Sequence, residues 1–284
     1  GEFENYDTLE EMVKEALMVG SKDTSMLDVF SNIDQVLEED YRHPIPMGIP
    51  GIDRLLKGGL AKGEIGVVLA PTGVGKSTLL TKISDHAFNL GYNVLQIFFE
   101  DNPKIIQRKH FTLWTKIHPD ELSLKKDEVM AKVHEIKTTM PNKLILKKLP
   151  SDTMSMLQIK NQIRKMIADG IKIDMVLLDY IDCVVPDRNL GDEWKSEGSV
   201  MRAFEAMCHE LDIVGWTATQ GNRQSISSDV VTTDQMGGSI KKAQVGHVII
   251  SVAKSLQQKE MKLATIAITK SRIGDDGVVF ENCK

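Results

Sequence analysis

The sequence predicts an α/β protein, with a largely parallel central sheet flanked by helices and a shorter helical piece ahead of it. Three observations predict this class. A glycine-rich loop, Ala70-Pro71-Thr72-Gly73-Val74-Gly75-Lys76-Ser77, joins an apolar, β-branched run at 65–69 to a helical pattern at 78–83. Further short apolar runs at 94–99, 175–178 and 213–219 are separated by helical stretches, the rhythm of parallel strands with helical crossovers. Two runs lead into acids, Glu100 and Asp179, and open α/β sheets bind ligands at the C-terminal ends of their strands.

The chain has 284 residues, enough for one large α/β domain and an appendage. Hydrophobic residues make up 42% and charged residues 26%, an ordinary globular balance. A formal net charge of −5 argues against a surface coated in basic residues for duplex DNA, though a local basic channel is compatible with it. Cys183, Cys208 and Cys283 have no metal-ligand spacing and the seven histidines are scattered, so we expect a reducing, intracellular protein without a metal cluster. No apolar run reaches membrane-spanning length and no signal-peptide pattern opens the chain. It begins with Gly1 rather than Met, which is compatible with a piece of a longer protein.

Taken in order, Leu9, Met12, Val13, Ala16 and Leu17 recur at helical spacing until Gly20. Ser25 and Asp28 form a capping box for a second helix, with Met26, Leu27, Phe30, Ile33 and Leu37 on its apolar face. These helices either pack on their own domain or dock on a neighbouring subunit, and spacing leaves both open. Pro44, Pro46 and Pro50 mark a stiff connection. We therefore divide the chain into an N-terminal helical linker or docking segment, 1–43, and a main domain, 44–284.

The loop at 70–77 has the strand–loop–helix context of a phosphate-binding P-loop, with Ala70 where the strict pattern has Gly. Gly73 and Gly75 let the backbone turn its N–H groups inward, and the helix N-terminus adds a positive dipole end. Lys76 supplies a charge for the β- and γ-phosphates, and the Ser77 hydroxyl suits Mg²⁺. Pro71, Thr72, Gly73, Val74, Gly75, Lys76, Ser77 and Thr78 are thus the candidate nucleotide-binding residues. Glu100 and Asp101 are either solvated or part of the ligand site. The stretch 102–142 reads as mostly helical, and its His110, Trp114, His118 and His134 read as packing residues. A strand at 143–148 and a helix at 155–167 follow. The strand ending in Asp179 offers a second Mg²⁺ ligand opposite Ser77, whereas Asp182 reads as a loop residue. The polar stretch 186–198 reads as a loop, 199–211 as a helix and 213–219 as a strand. The polar stretch 225–235 comes next, then strands near 247–252 and 263–269 and a closing hairpin at 278–281.

The order P-loop, Glu100, Asp179, Gln220-Gly221-Asn222-Arg223, Gly238-Ser239-Ile240 and Lys270-Ser271-Arg272 resembles the ATPase domain of DnaB-type replicative helicases, phage primase-helicases included. The likeness spans about 44–282, and Lys241 and Gln244 depart from it where acids are usual. It implies a RecA-like P-loop NTPase core and an ATP-dependent DNA helicase that translocates on single-stranded DNA as a homo-oligomeric, hexameric ring. The expected cofactors are ATP, or another NTP or dNTP, and Mg²⁺. Expected partners are other copies of the chain, single-stranded DNA, and a primase or a helicase loader, with no membrane. The expected location is the cytoplasm of a bacterium, or of the host cell for a phage protein. The same resemblance makes Glu100 the general base, gives the γ-phosphate contact to Gln220, and sends Lys270 and Arg272 into the next subunit's site. Arg188, Lys195, Arg223, Lys241 and Lys242 become candidates for tracking a DNA backbone. Alternatives are a RecA/RadA-like recombinase or related DNA-dependent ATPase on the same fold, and a nucleotide-gated adaptor or loader that turns over slowly.

Overall fold

The computed structural model describes residues 29–30, 33–37, 42–187, 193–222, 225, 228, 230–236 and 240–283. The helix expected at 9–20, and most of the one opening at Ser25, lie outside the described residues. Contacts divide the chain into two units, Gly1–Tyr41 and Arg42–Lys284. In the first, Ile33–Val36 is helical, and Phe30, Ile33 and Leu37 are exposed.

The second unit is built on one eight-stranded sheet. Its strands are β1 (Ile65–Ala70), β2 (Val94–Phe98), β3 (Leu144–Lys148), β4 (Met175–Asp179), β5 (Val214–Gln220), β6 (Val248–Ala253), β7 (Ala264–Ser271) and β8 (Val278–Cys283). They lie in the order β3-β2-β4-β5-β1-β6-β7-β8. The pairings from β3 through β6 are parallel, and β7 and β8 join as an antiparallel extension. Helices connect the parallel strands, because such strands need a crossover to return to the same edge. In chain order the helices are α1 (Pro50–Leu55), α2 (Lys76–Asn89), α3 (Pro103–Thr115), α4 (Lys126–Thr139), α5 (Met156–Ala168), α6 (Glu193–Glu210), α7 (Ile240–Val245) and α8 (Leu256–Glu260). Among the described residues, no helix is long and apolar enough to cross a membrane.

The central strands are buried on both faces, which is why they read as continuous apolar runs. On β1, Ile65, Val67 and Leu69 face a core completed by Ile159 and Ile163 of α5 and by Phe204 and Met207 of α6. Val68 and Ala70 face the other core, with Leu80 and Ile83 of α2 and Trp216 of β5. Gly66 lies opposite Trp216 in the sheet, and a Cβ at Gly66 would come within 2.4 Å of the indole. Glycine is required there by the close approach of that ring.

The helical stretch at 102–142 is two helices. Asn102 caps α3 by accepting from the Lys104 N–H, and Lys116 ends it in the left-handed conformation. One expectation needs correction. The loop read across 186–198 is shorter, because α6 starts at Glu193. Gly198 suggests a break, but a glycine inside a helix costs only about 1 kcal/mol relative to Ala. Here Gly198 is buried within α6.

Candidate active site

β1 delivers the chain into the P-loop and α2 carries it away. Gly73 and Gly75 have φ of +78° and +117°. A Cβ at Gly73 would meet nothing within 4 Å, so the conformation, not space, calls for glycine there. Lys76 opens α2, and its Nζ donates to the carbonyl oxygens of Ala70 at 3.2 Å and Pro71 at 3.4 Å. Burial lowers the Lys76 pKa, while Asp179, Asp182 and Glu100 push it back up. Val74 is 5% exposed and belongs to the α2-side core, so its side chain faces away from the loop's concave side.

A cleft of about 450 Å³ opens over this loop. Thr72, Gly73, Gly75, Lys76, Ser77 and Thr78 line one side. Glu100 and Asp179, just past and at the ends of adjacent parallel strands, line the other with Gln220 from the end of β5. Strand order explains the meeting: β5 lies beside β1 with Gln220 in register with Ala70. The Gln220 side-chain amide donates to the Thr72 hydroxyl at 2.5 Å.

The carboxylates differ in setting. Asp179 is buried, and this raises its pKa, against a lowering hydrogen bond from the Ser77 hydroxyl and the nearby charge of Lys109. Glu100 accepts from the Tyr180 hydroxyl at 3.1 Å, and burial drives that phenol's pKa up. Asp101 is held by the Lys109 ammonium at 3.0 Å. Asp101, Lys109 and Tyr180 all line the cleft, and sequence reasoning gives none of them a firm role. Tyr180 follows directly after Asp179, a signal that is present in the sequence. Lys109 has none, because its meeting with Asp101 depends on the direction of α3.

Lys270 and Arg272 are not among the residues lining this cleft. Lys270 Nζ donates to the carbonyls of Ala243 at 2.6 Å, Gln244 at 2.8 Å and Gly246 at 2.7 Å, which close the C-terminal end of α7. The Arg272 guanidinium donates to the Gln244 carbonyl. Burial, and next the charge of Arg272, lower the Lys270 pKa to about 8.

Of the candidate DNA contacts, Arg188 and Arg223 lie outside the described residues, as do the side chains of Lys195 and Lys241. Lys242 differs from expectation. It is 2% exposed, and its ammonium pairs with Asp182. The reason is helical geometry: Lys242 lies within α7 and its ammonium is turned inward to Asp182. Asp182, read from the sequence as a loop residue, also accepts from the Thr219 hydroxyl and the Gln220 N–H.

Comparison with known proteins adds to this geometry. A DnaB-like replicative helicase of Enterobacteria phage T4 is 21% identical over 242 residues, which is 81% of this chain and 50% of that protein. The DNA repair protein RadA of Mycobacterium tuberculosis is 28% identical over 104 residues, 36% of this chain and 22% of that protein. The chain thus spans half the length, or less, of these curated relatives. A solved ATPase domain superposes with a TM-score of 0.72 at 16% identity, covering 87% of this chain and 90% of that one. A structure of a DnaB-like replicative helicase, described with its interactions with primase, gives 0.73 at 17% identity, covering 98% of this chain and 71% of that one. These likenesses identify the sheet as the RecA-like core that the motif order implies. Residues 44–281 match the family described as the DnaB-like helicase C terminal domain, and the chain belongs to that family.

Proposed function

We propose that this chain is the motor of an ATP-driven replicative DNA helicase that moves along single-stranded DNA as a ring. The observation that carries the reading is the cleft of a DnaB-like domain in which Lys76, Ser77, Asp179, Glu100 and Gln220 converge. The residues fit a nucleoside triphosphate. The loop has glycine-dependent curvature, a helix N-terminus and a lysine, all suited to phosphate oxygens. They also fit a divalent cation, since the Ser77 hydroxyl and Asp179 carboxylate are oxygen donors already in contact. Bound there, such a cation would neutralise charge on the β- and γ-phosphates.

The chain's own residues divide the work. Lys76 holds the phosphates, and its long backbone contacts are readily exchanged for stronger charge-assisted ones. Glu100 polarises the attacking water, with the Tyr180 hydroxyl fixing its carboxylate. Gln220 reports the γ-phosphate to the segments that follow β5. Arg272 and Lys270 serve the neighbouring subunit's cleft. Arg188, Lys195, Arg223 and Lys241 supply contacts to the strand. Segment 1–43 is a linker that docks on a neighbour, with 44–284 as the motor domain. A primase or loader is the expected partner, by analogy with the structural neighbour described with its primase interactions. The compartment is the cytoplasm of a bacterium or of an infected host.

Unwinding of a forked duplex, dependent on ATP and abolished by Lys76→Ala, tests the reading. Electron microscopy with single-stranded DNA and a non-hydrolysable nucleotide should show closed rings. The partial match to RadA favours a second reading, a recombinase-type ATPase. Stiff filaments on the strand, with no fork unwinding, would select it over the first.

A further inference from the structure

Asp182 stands where two elements meet. Its carboxylate accepts from the Thr219 hydroxyl at 3.1 and 3.0 Å and from the Gln220 N–H at 3.2 Å. The Lys242 ammonium, from α7, completes its surroundings. Thr219 is fully buried and Lys242 is 2% exposed. Lysine is almost never buried unless paired. The Asp182 side chain is 22% exposed, and ion pairs add little net stability either at the surface or in the interior. Stability alone therefore gives no strong reason for this pair, and its location points to a task. One partner grips the backbone of Gln220, whose side chain reaches Thr72 in the P-loop. The other rides on α7, whose far end is held by Lys270 and Arg272.

We propose that Asp182 and Lys242 are positioning residues, whose half-buried ion pair fixes Gln220 beside the P-loop and ties that strand end to α7. The proposal rests on the reading of the cleft as a nucleoside triphosphate site. It makes Lys242 an internal tether instead of a contact to a nucleic-acid strand. A shift of Gln220 on loss of the γ-phosphate then reaches α7 directly, and through its C-terminal carbonyls reaches the end of β7.

The test uses the full chain with Asp182→Asn, Lys242→Met and the double variant, with wild type and Lys76→Ala as references. Asn at 182 keeps an acceptor for Thr219 and Gln220 but loses the charge. Met at 242 keeps length and loses the ammonium, and it serves if Asp182→Asn folds poorly. Hydrolysis is measured without DNA. We expect kcat to fall about tenfold or more in each single variant, about 1.4 kcal/mol, while KM for ATP stays within about threefold. The double variant should match the worse single variant, because the pair acts as a unit. Hydrogen exchange at the Gln220 amide, read without nucleotide, should be faster in both single variants. DNA-free kcat within about twofold of wild type, with weakened binding of a single-stranded oligonucleotide by Lys242→Met, overturns the proposal and returns Lys242 to strand contact. If wild type and Lys76→Ala hydrolyse alike, the cleft reading fails instead. The tether is then judged on exchange, and unchanged protection in both variants overturns it.

Discussion

Lys76 and Lys270 are the same residue type in comparable partial burial, and burial is the main cause that lowers the pKa of each. Their charged surroundings differ. Three carboxylates, Asp179, Asp182 and Glu100, favour the charge on Lys76, whereas at Lys270 Arg272 opposes the charge more strongly than Glu205 favours it. Their bonds differ as well. Lys76 makes two contacts at 3.2 and 3.4 Å at the wall of a cleft. Lys270 makes three at 2.6 to 2.8 Å, which matches the three donors of an ammonium. The first lysine is faced by three carboxylates and makes only long bonds, which a phosphate anion can replace. The second is saturated by its own chain, so any act in a neighbour's site requires it to let go of α7. Arg272 has more donors than its contact to Gln244 uses, and it is the better candidate to reach across.

The largest effect expected is from Lys76→Ala. It should abolish hydrolysis and weaken nucleotide binding, measured by turnover and by titration with a fluorescent ATP analogue. Near-normal turnover would remove the contrast between the two lysines and the cleft reading with it.

Arg272→Ala comes next. If Arg272 acts on a neighbour, its loss should lower turnover by roughly 10³ to 10⁵, the range for arginine fingers in well-studied GTPases. Nucleotide binding should survive, since the variant's own P-loop is intact. Mixing Arg272→Ala with Lys76→Ala pairs an intact cleft with an intact arginine in some neighbours. Single-turnover hydrolysis should then recover, once labelled subunits show exchange. Background hydrolysis after confirmed exchange would leave Arg272 as a local cap for α7.

Glu100→Gln should lower turnover by about 10² to 10⁴ with nucleotide still bound, the usual range for losing a general base. Asp101→Asn should have far less effect, because Asp101 is engaged by Lys109. The reverse ranking would exchange the roles of the two acids.

Much of this is legible in the sequence because it is written locally. The P-loop, the apolar strands and the acids at their ends are short-range patterns, and each strand that they predict is found in the sheet. What is not legible depends on strand order and helix facing. Nothing in the spacing of Asp182 and Lys242 indicates that the turn after β4 and α7 converge on the end of β5. Asp182 therefore reads as an ordinary loop residue and Lys242 as a strand contact, although the two are paired. Lys109 needs the direction of α3 to reach Asp101. The start of α6 escapes the sequence because Gly198 carries a low helix propensity, yet it lies inside the helix.

The smallest expected effect sharpens the comparison from the other side. Lys270 ionises near pH 8 in the folded protein, against 10.5 for an ordinary lysine. Between those values the unfolded chain still holds the proton that the folded chain has released. Stability rises with pH wherever the unfolded state binds more protons. This side chain's contribution should therefore become more favourable as pH rises from 8 towards 10.5, and should be flat below 8. The measurement is the Tm of wild type minus that of Lys270→Met across this window, which cancels groups common to both. Because Lys270 is partly solvated, the change should be small, on the order of 1 °C. Below pH 8 the ammonium keeps all three donors for Ala243, Gln244 and Gly246; above it one is lost. A difference that falls with pH would mean that these carbonyl bonds to the charged form outweigh burial and the repulsion of Arg272. Lys270 would then be held charged by its own carbonyl bonds, and Lys76 alone of the two would keep a pKa lowered by burial.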